Sequence, residues 1–246
     1  MNTLNTHDML RIWECGLNQS QVQRALVLLS AACPEMQPDV LVKLSIGQRD
    51  RHLLLLRERL FGSELANTVV CPQCSERIEW ESKVHDFLVS AEVVDATATD
   101  FSVSIGDYQL RFRLPDSLDI AAVIDSQDEE NAQQLLLARC LLSIEHLGES
   151  CTVEQLPDFV IQELSKSIES ADPLADIRIN LRCPECAHQW DVQFDITSFL
   201  WIEINDWAER MLQTIHQLAL SYGWSEREII DLNPVRRQLY LGMLRS

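Results

Sequence analysis

The sequence predicts a mostly helical α+β fold on three observations. Apolar residues recur at helical spacing near both ends, alternating strand patterns occupy the middle, and two Cys-Pro-x-Cys turns, Cys71–Cys74 and Cys183–Cys186, stand far apart in the chain. A chain of 246 residues, 46% hydrophobic and 24% charged, suits one large domain or two small ones. At that length roughly three-quarters of the unfolded surface can be buried, so no disulfide is needed to hold a core.

The chain from His7 to Phe61 reads as helical. Met9, Leu10, Ile12, Trp13 and Leu17 give the apolar set of a short helix over 7–17. Asn18 or Ser20 can cap the next, where Val22, Leu26, Leu29 and Cys33 fall at helical spacing. Pro34 and Pro38 interrupt the chain, and a helix from about Gly47 to Phe61 carries the run Leu53 to Leu56, with Gly62 as its C-cap. In the middle, Phe101–Ile105 and Tyr108–Leu114 alternate about Gly106-Asp107, the pattern of a β-hairpin. Helical segments are predicted near 117–125, 128–144 and 156–170, with Pro157 in the first turn of the last. The clearest helix is C-terminal: Leu200, Ile204, Trp207, Met211, Ile215, Leu218 and Tyr222 form one stripe over 197–222. That stripe either fills the core or is partly used on a partner. Gly223 ends it, Ser225-Glu-Arg-Glu228 has the form of a capping box, and Asn233-Pro234 opens a last helix with Val235, Leu239 and Met243 as its apolar face.

The cysteine turns lie in two similar segments. Cys71-Pro-Gln-Cys74 precedes Arg77-Ile-Glu-Trp-Glu81, and Cys183-Pro-Glu-Cys186 precedes Gln189-Trp-Asp-Val-Gln-Phe194. Each reads as strand, knuckle, strand. Two residues between cysteines let both sulfurs of a tight turn face one ion, and two such turns supply the four thiolates zinc prefers. The expectation is one structural Zn2+ per chain on Cys71, Cys74, Cys183 and Cys186, stabilising by on the order of 10 kcal/mol against about 2–4 for a disulfide. A pair of disulfides or a redox-active pair is the alternative, although no βαβ context supports a thioredoxin-type site. An ordinary ribbon has only ~15–20 residues between its cysteine pairs, so one shared ion makes the intervening chain an insertion whose ends meet. The implied organisation is a helical region over 1–66, a split zinc ribbon over 67–82 plus 175–196, an inserted α+β subdomain over 83–174 and C-terminal helices over 197–246. His188 could compete as a ligand or stand beside the site. Cys15, Cys33 and Cys140 read as small buried hydrophobes, Cys151 has no ligand-like spacing, and Trp80 and Trp190 read as packing over the ribbon.

The chain carries 38 acids against 20 bases, a net charge of −18, which repels phosphate backbones and argues against general nucleic-acid binding. From Ala91 to Glu130 there are ten acids and two bases, either a solvated face or a docking surface for a basic partner. Leu232 to Ser246 carries Arg236, Arg237 and Arg245 without an acid. No apolar run approaches the ~20 residues of a membrane span, and no secretion signal opens the chain. A reducing cytoplasm is therefore expected, where paired cysteines favour metal. Four thiolates leave zinc no open position for water, and no Gly-x-Ser-x-Gly, His-Glu-x-x-His or phosphate-cradling loop occurs. The acids between Asp125 and Glu130 fit a charged helix start better than a metal cluster. The residues predict no enzyme, no catalytic residue and no small-molecule substrate.

Several stretches together resemble the T-even-phage-type baseplate hub assembly chaperone and baseplate protein family of contractile tails and injection systems. They are Leu10-Arg-Ile-Trp-Glu14, Gln23-Arg-Ala-Leu26, Ala31-Ala-Cys-Pro34, Ile46-Gly-Gln-Arg-Asp50, both cysteine knuckles, Phe194-Asp-Ile-Thr-Ser-Phe-Leu-Trp201, Tyr222-Gly-Trp-Ser225 and Arg237-Gln-Leu-Tyr-Leu241. Residues 83–176 match only loosely. The resemblance implies an assembly factor or structural component that contacts baseplate, hub or spike proteins in the producing bacterium, and it carries over only the four cysteines as functional positions. The other reading of the knuckles is a zinc-ribbon module for nucleic acid or transcription machinery, which calls for a basic patch near them. Only Arg77, Lys83, Arg178 and Arg182 are at hand.

Overall fold

Helix starts in this chain are set by side-chain caps. Asn5 with Asp8, Ser20 with Gln23 and Ser45 with Gln48 form capping boxes that open α1 (Thr6–Gly16), α2 (Gln21–Ala32) and α4 (Ile46–Phe61), with the short α3 (Pro38–Leu41) between the last two. The computed structural model describes residues 4–89, 100–124, 126 and 128–244. Gly62, at φ 93°, stops α4 and turns the chain into β1 (Glu64–Val70), which pairs with β2 (Arg77–Lys83) and leads to α5 (Val84–Val89).

The segment that follows builds its own sheet. β3 (Phe101–Ile105) and β4 (Tyr108–Phe112) form the expected hairpin, with Ile105 opposite Tyr108. Beyond α6 (Ser117–Val123) and α7 (Glu129–Cys140), the helix predicted over 128–144 stops short. Leu141–His146 is a strand, β5, paired with β4 through Leu110↔Ile144 and Tyr108↔His146 and followed by β6 (Glu149–Ser150). Three leucines at 135–137 favour a helix locally. Pairing with β4 and burial of Ile144 beside Leu110 override that preference. α8 (Asp158–Ala171) lays Val160 and Leu164 on this sheet, and Pro157 is its N-cap, one step before the first turn. Of the acidic run 91–130, residues 91–99, 125 and 127 lie outside the described residues.

β7 (Ile177–Arg182) and β8 (Gln189–Phe194) form the second knuckle hairpin, and β8 runs directly into α9 (Ile196–Tyr222). Leu28, Leu29, Leu53, Leu54, Ile196, Leu200 and Ile204 bury one core between α2, α4 and the first half of α9. The second half of α9 packs Ala208, Ile215 and Leu218 against Ile229 and Ile230 of α10 (Glu226–Ile230) and Leu241 of α11 (Pro234–Leu244). The predicted α9 stripe is thus core-facing at Leu200, Ile204, Ile215 and Leu218 and half-buried at Trp207, Met211 and Tyr222.

α11 lies the other way round from expectation. Val235, Leu239 and Met243 are 67, 60 and 63% exposed, whereas Arg237 and Leu241 are buried. The Arg237 guanidinium donates to the carbonyls of Ile230 and Leu232, at 2.9 and 3.0 Å, and reaches the Met211 sulfur. Seating that cation over the end of α10 turns the apolar spacing outward. No described helix is long and apolar enough to cross a membrane.

Candidate metal centre

The two hairpins leave the helical body side by side. α4 feeds β1 and β8 feeds α9, and these helices are tied by Arg57, whose guanidinium grips Glu203 at 2.7 and 2.9 Å and the Gly62 carbonyl at 2.6 Å. Phe194 stacks on Phe87 with centroids 5.0 Å apart, holding the root of the second hairpin to α5.

At the tips the two turns repeat one geometry. Cys71 N–H donates to the Glu76 carbonyl at 2.8 Å and Ser75 N–H to the Cys71 carbonyl at 3.0 Å. Cys183 N–H donates to the His188 carbonyl at 2.8 Å and Ala187 N–H to the Cys183 carbonyl at 3.0 Å. Ser75 and Ala187 adopt φ of 62° and 59°, the left-handed region usually left to glycine. Nothing in the sequence flagged these two positions, because the marker residue is missing from both.

The turns meet. Cys71 Sγ lies 3.7 Å from Cys186 Sγ and Cys74 Sγ 3.5 Å from Cys183 Sγ, and all four sulfurs fall within 4.8 Å of one another. A tetrahedron with metal–sulfur bonds of about 2.3 Å has edges of about 3.8 Å, so the cluster could hold one ion. Cys71 and Cys183 are buried and Cys74 and Cys186 are exposed.

Without a cation the thiols compete for charge. Burial raises Cys71, yet N–H groups of Cys74 and Gln73 and the neighbouring sulfurs outweigh it and bring that thiol down to about 7. Cys74 receives a lowering hydrogen bond from the Glu76 backbone, but burial and its three sulfur neighbours push it up to about 12. Cys186 is likewise raised, against the His188 backbone, by burial and by Cys183 and Cys71. A divalent cation compensates all four at once.

The other sequence candidates fall elsewhere. The His188 ring stacks on Trp190, and both are half-buried, as is Trp80. Cys33 and Cys140 are buried, whereas Cys15, expected inside, is exposed, and Cys151 is half-buried. Near the knuckles Arg77 pairs with Glu79 at 3.0 Å and Arg178 with Asp176 at 2.7 Å.

Comparison with curated proteins and with solved structures gives no match. A family model described as T4 bacteriophage base plate protein matches residues 5–201, from the cap of α1 through both cysteine knuckles to the first turns of α9. The chain therefore belongs to the T4 bacteriophage base plate protein family.

Proposed function

We propose that this chain is a non-enzymatic assembly factor or structural component for the baseplate or hub of a phage-like contractile tail or injection system, stapled by one structural zinc. The observation that carries this reading is the family match, which spans both knuckles and the helices that present them. Four soft thiolates whose sulfurs lie within 4.8 Å of one another favour zinc or an iron–sulfur centre, and an all-cysteine site leaves no open position for a substrate. On this reading the two hairpins are a split zinc ribbon and residues 83–174 its insertion. The ion clamps the ends of that insertion together, and its residues ligate without catalysing. Partners are baseplate, hub or spike proteins met in the cytoplasm of the producing bacterium. The net charge of −18 and the acid partners of Arg77 and Arg178 speak against nucleic acid.

The test is co-purification of the tagged chain with each hub, spike and tube protein encoded beside it, with and without a chelator. Capture that weakens on chelation is expected. A chain that stays monomeric and indifferent to every tail protein overturns the reading.

A further inference from the structure

β7 has β8 on one side and, among the described residues, no strand on the other. The Cys183–His188 hydrogen bond sets the ladder phase: counting in twos, Leu181, Ile179 and Ile177 bond across to β8. The N–H and C=O groups of Arg178 and Asn180 therefore point outward, and no backbone bond outside the ladder reaches them among the described residues. That edge lines a groove of about 670 Å3, whose far walls are Asp86 and Phe87 of α5 and Glu169, Leu174 and Asp176 around the end of α8. Its apolar lining comes from Phe87, Leu174, Ile177 and Ile179. The rim is acidic, with Asp86, Glu169 and Asp176 against the one cation Arg178 among the lining residues, which Asp176 already pairs.

We propose that the outer edge of β7 accepts an extended segment of a baseplate partner as an added strand, apolar on one face and carrying Lys or Arg on the other. Ile177–Asn180 offers room for about four extended residues at roughly 3.3 Å each. The outward backbone groups of Arg178 and Asn180 supply the ladder, the half-buried Phe87, Ile177 and Ile179 take the apolar side chains, and the carboxylate rim selects a basic segment over an acidic one. Nucleic acid is excluded by that same rim. The source of the segment rests on the baseplate reading. The docking mode rests on the edge and groove.

The experiment compares the full-length chain with Asn180→Pro and Asn180→Ala in co-expression with each baseplate protein encoded beside it. Proline at an edge position with an outward N–H removes the donor without breaking the β8 ladder, whereas both variants lose the side-chain bond from Asn180 to Asp191. The complex is expected to survive Asn180→Ala and to weaken about tenfold or more in Asn180→Pro. Glu169→Lys, on the exposed rim, is expected to weaken it about threefold or more at low salt, an effect that fades as salt is added. Hydrogen exchange at Arg178 and Asn180 should be fast in the free chain and slow in the complex. Equal binding by Asn180→Pro and Asn180→Ala overturns the strand docking alone, as does an edge already protected in the free chain. Failure of the wild-type chain to bind any of these proteins overturns both this inference and the baseplate reading.

Discussion

The carboxylate of Asp172, just past the end of α8, accepts a hydrogen bond from Gly47 N–H in the first turn of α4, at 2.9 Å and across 125 positions of sequence. It fastens the chain just past α8 to the first turn of α4. Nearby, Ile46 N–H donates to the Pro115 carbonyl at 3.0 Å and Ser45 bridges to Asp116, so the start of α4 is met from two sides. A Cβ on residue 47 would stand 1.8 Å from Asp172 Oδ1. Gly47→Ala must therefore expel the carboxylate and forfeit a buried cap, and is expected to cost about 2–4 kcal/mol in urea unfolding. Asp172→Asn keeps an acceptor and should cost less. A silent Gly47→Ala would show that the junction tolerates displacement.

One turn further along α4, Asp50 lies buried against Arg49, with Nε to Oδ1 at 2.7 Å. Burial dominates and, with Asp195 and Asp172 near by, raises its pKa to about 6 despite Arg49. Because the folded value lies above the unfolded one, the associated stability is fully present below about 3.8 and is lost as pH rises through about 6. Asp172, also raised by burial, acts in the same direction. From pH 7 to pH 5 this contribution should grow by about 1 kcal/mol. The measurement is the difference in unfolding free energy between wild type and Asp50→Asn across that range, which cancels any effect of acid on the thiolates. A difference that does not change with pH removes Asp50 as the cause.

Ala187 and Ser75 hold left-handed backbone without being glycine. For an L residue that conformation costs roughly 1–2 kcal/mol, while glycine gives back about 0.5–1 through unfolded-state entropy. Ala187→Gly is expected to leave stability unchanged or raise it by up to about 1 kcal/mol. Ala187→Val, β-branched at the same φ, should lower it by about 1–2 kcal/mol or more. Thermal unfolding of the metal-loaded chain reads both, and the opposite order would mean that the second knuckle does not need this turn.

What the sequence made legible was local. Capping residues Ser20, Gly62, Ser225 and Gly223, the hairpin about Gly106-Asp107 and the α9 spacing each depend on neighbours close by in the chain, and each was readable. The proximity of four sulfurs was readable for another reason: thiolate spacing has a chemical meaning independent of fold. Strand β5 was not readable, because its partner β4 lies on the far side of α6 and α7 in the chain and the intervening leucines favour a helix. Nor was the facing of α11, since hydropathy gives no weight to an arginine buried for the carbonyls it reaches. Cys15 failed in the same way: helical spacing places a residue on a face but does not say which faces are covered.

The metal reading makes the sharpest demand. Native mass measurement is expected to find one zinc per chain, and Cys183→Ser, which removes a buried sulfur 3.5 Å from Cys74 Sγ, is expected to find none. Cys15→Ser is the control, since that thiol is exposed and outside the cluster. On this reading one ion joins Cys71 and Cys74 to Cys183 and Cys186, so losing it would free both ends of the chain between the knuckles at once. A structural zinc contributes on the order of 10 kcal/mol, so forfeiting even part of it should lower stability by several kcal/mol. The effect should reach beyond the hairpins, to faster hydrogen exchange at the Gly47 amide, because Asp172 is positioned by the same chain that Cys183 anchors. Full zinc retention in Cys183→Ser would refute the ligand set. Zinc loss with unchanged exchange at Gly47 would confine the ion's role to the tips of the hairpins.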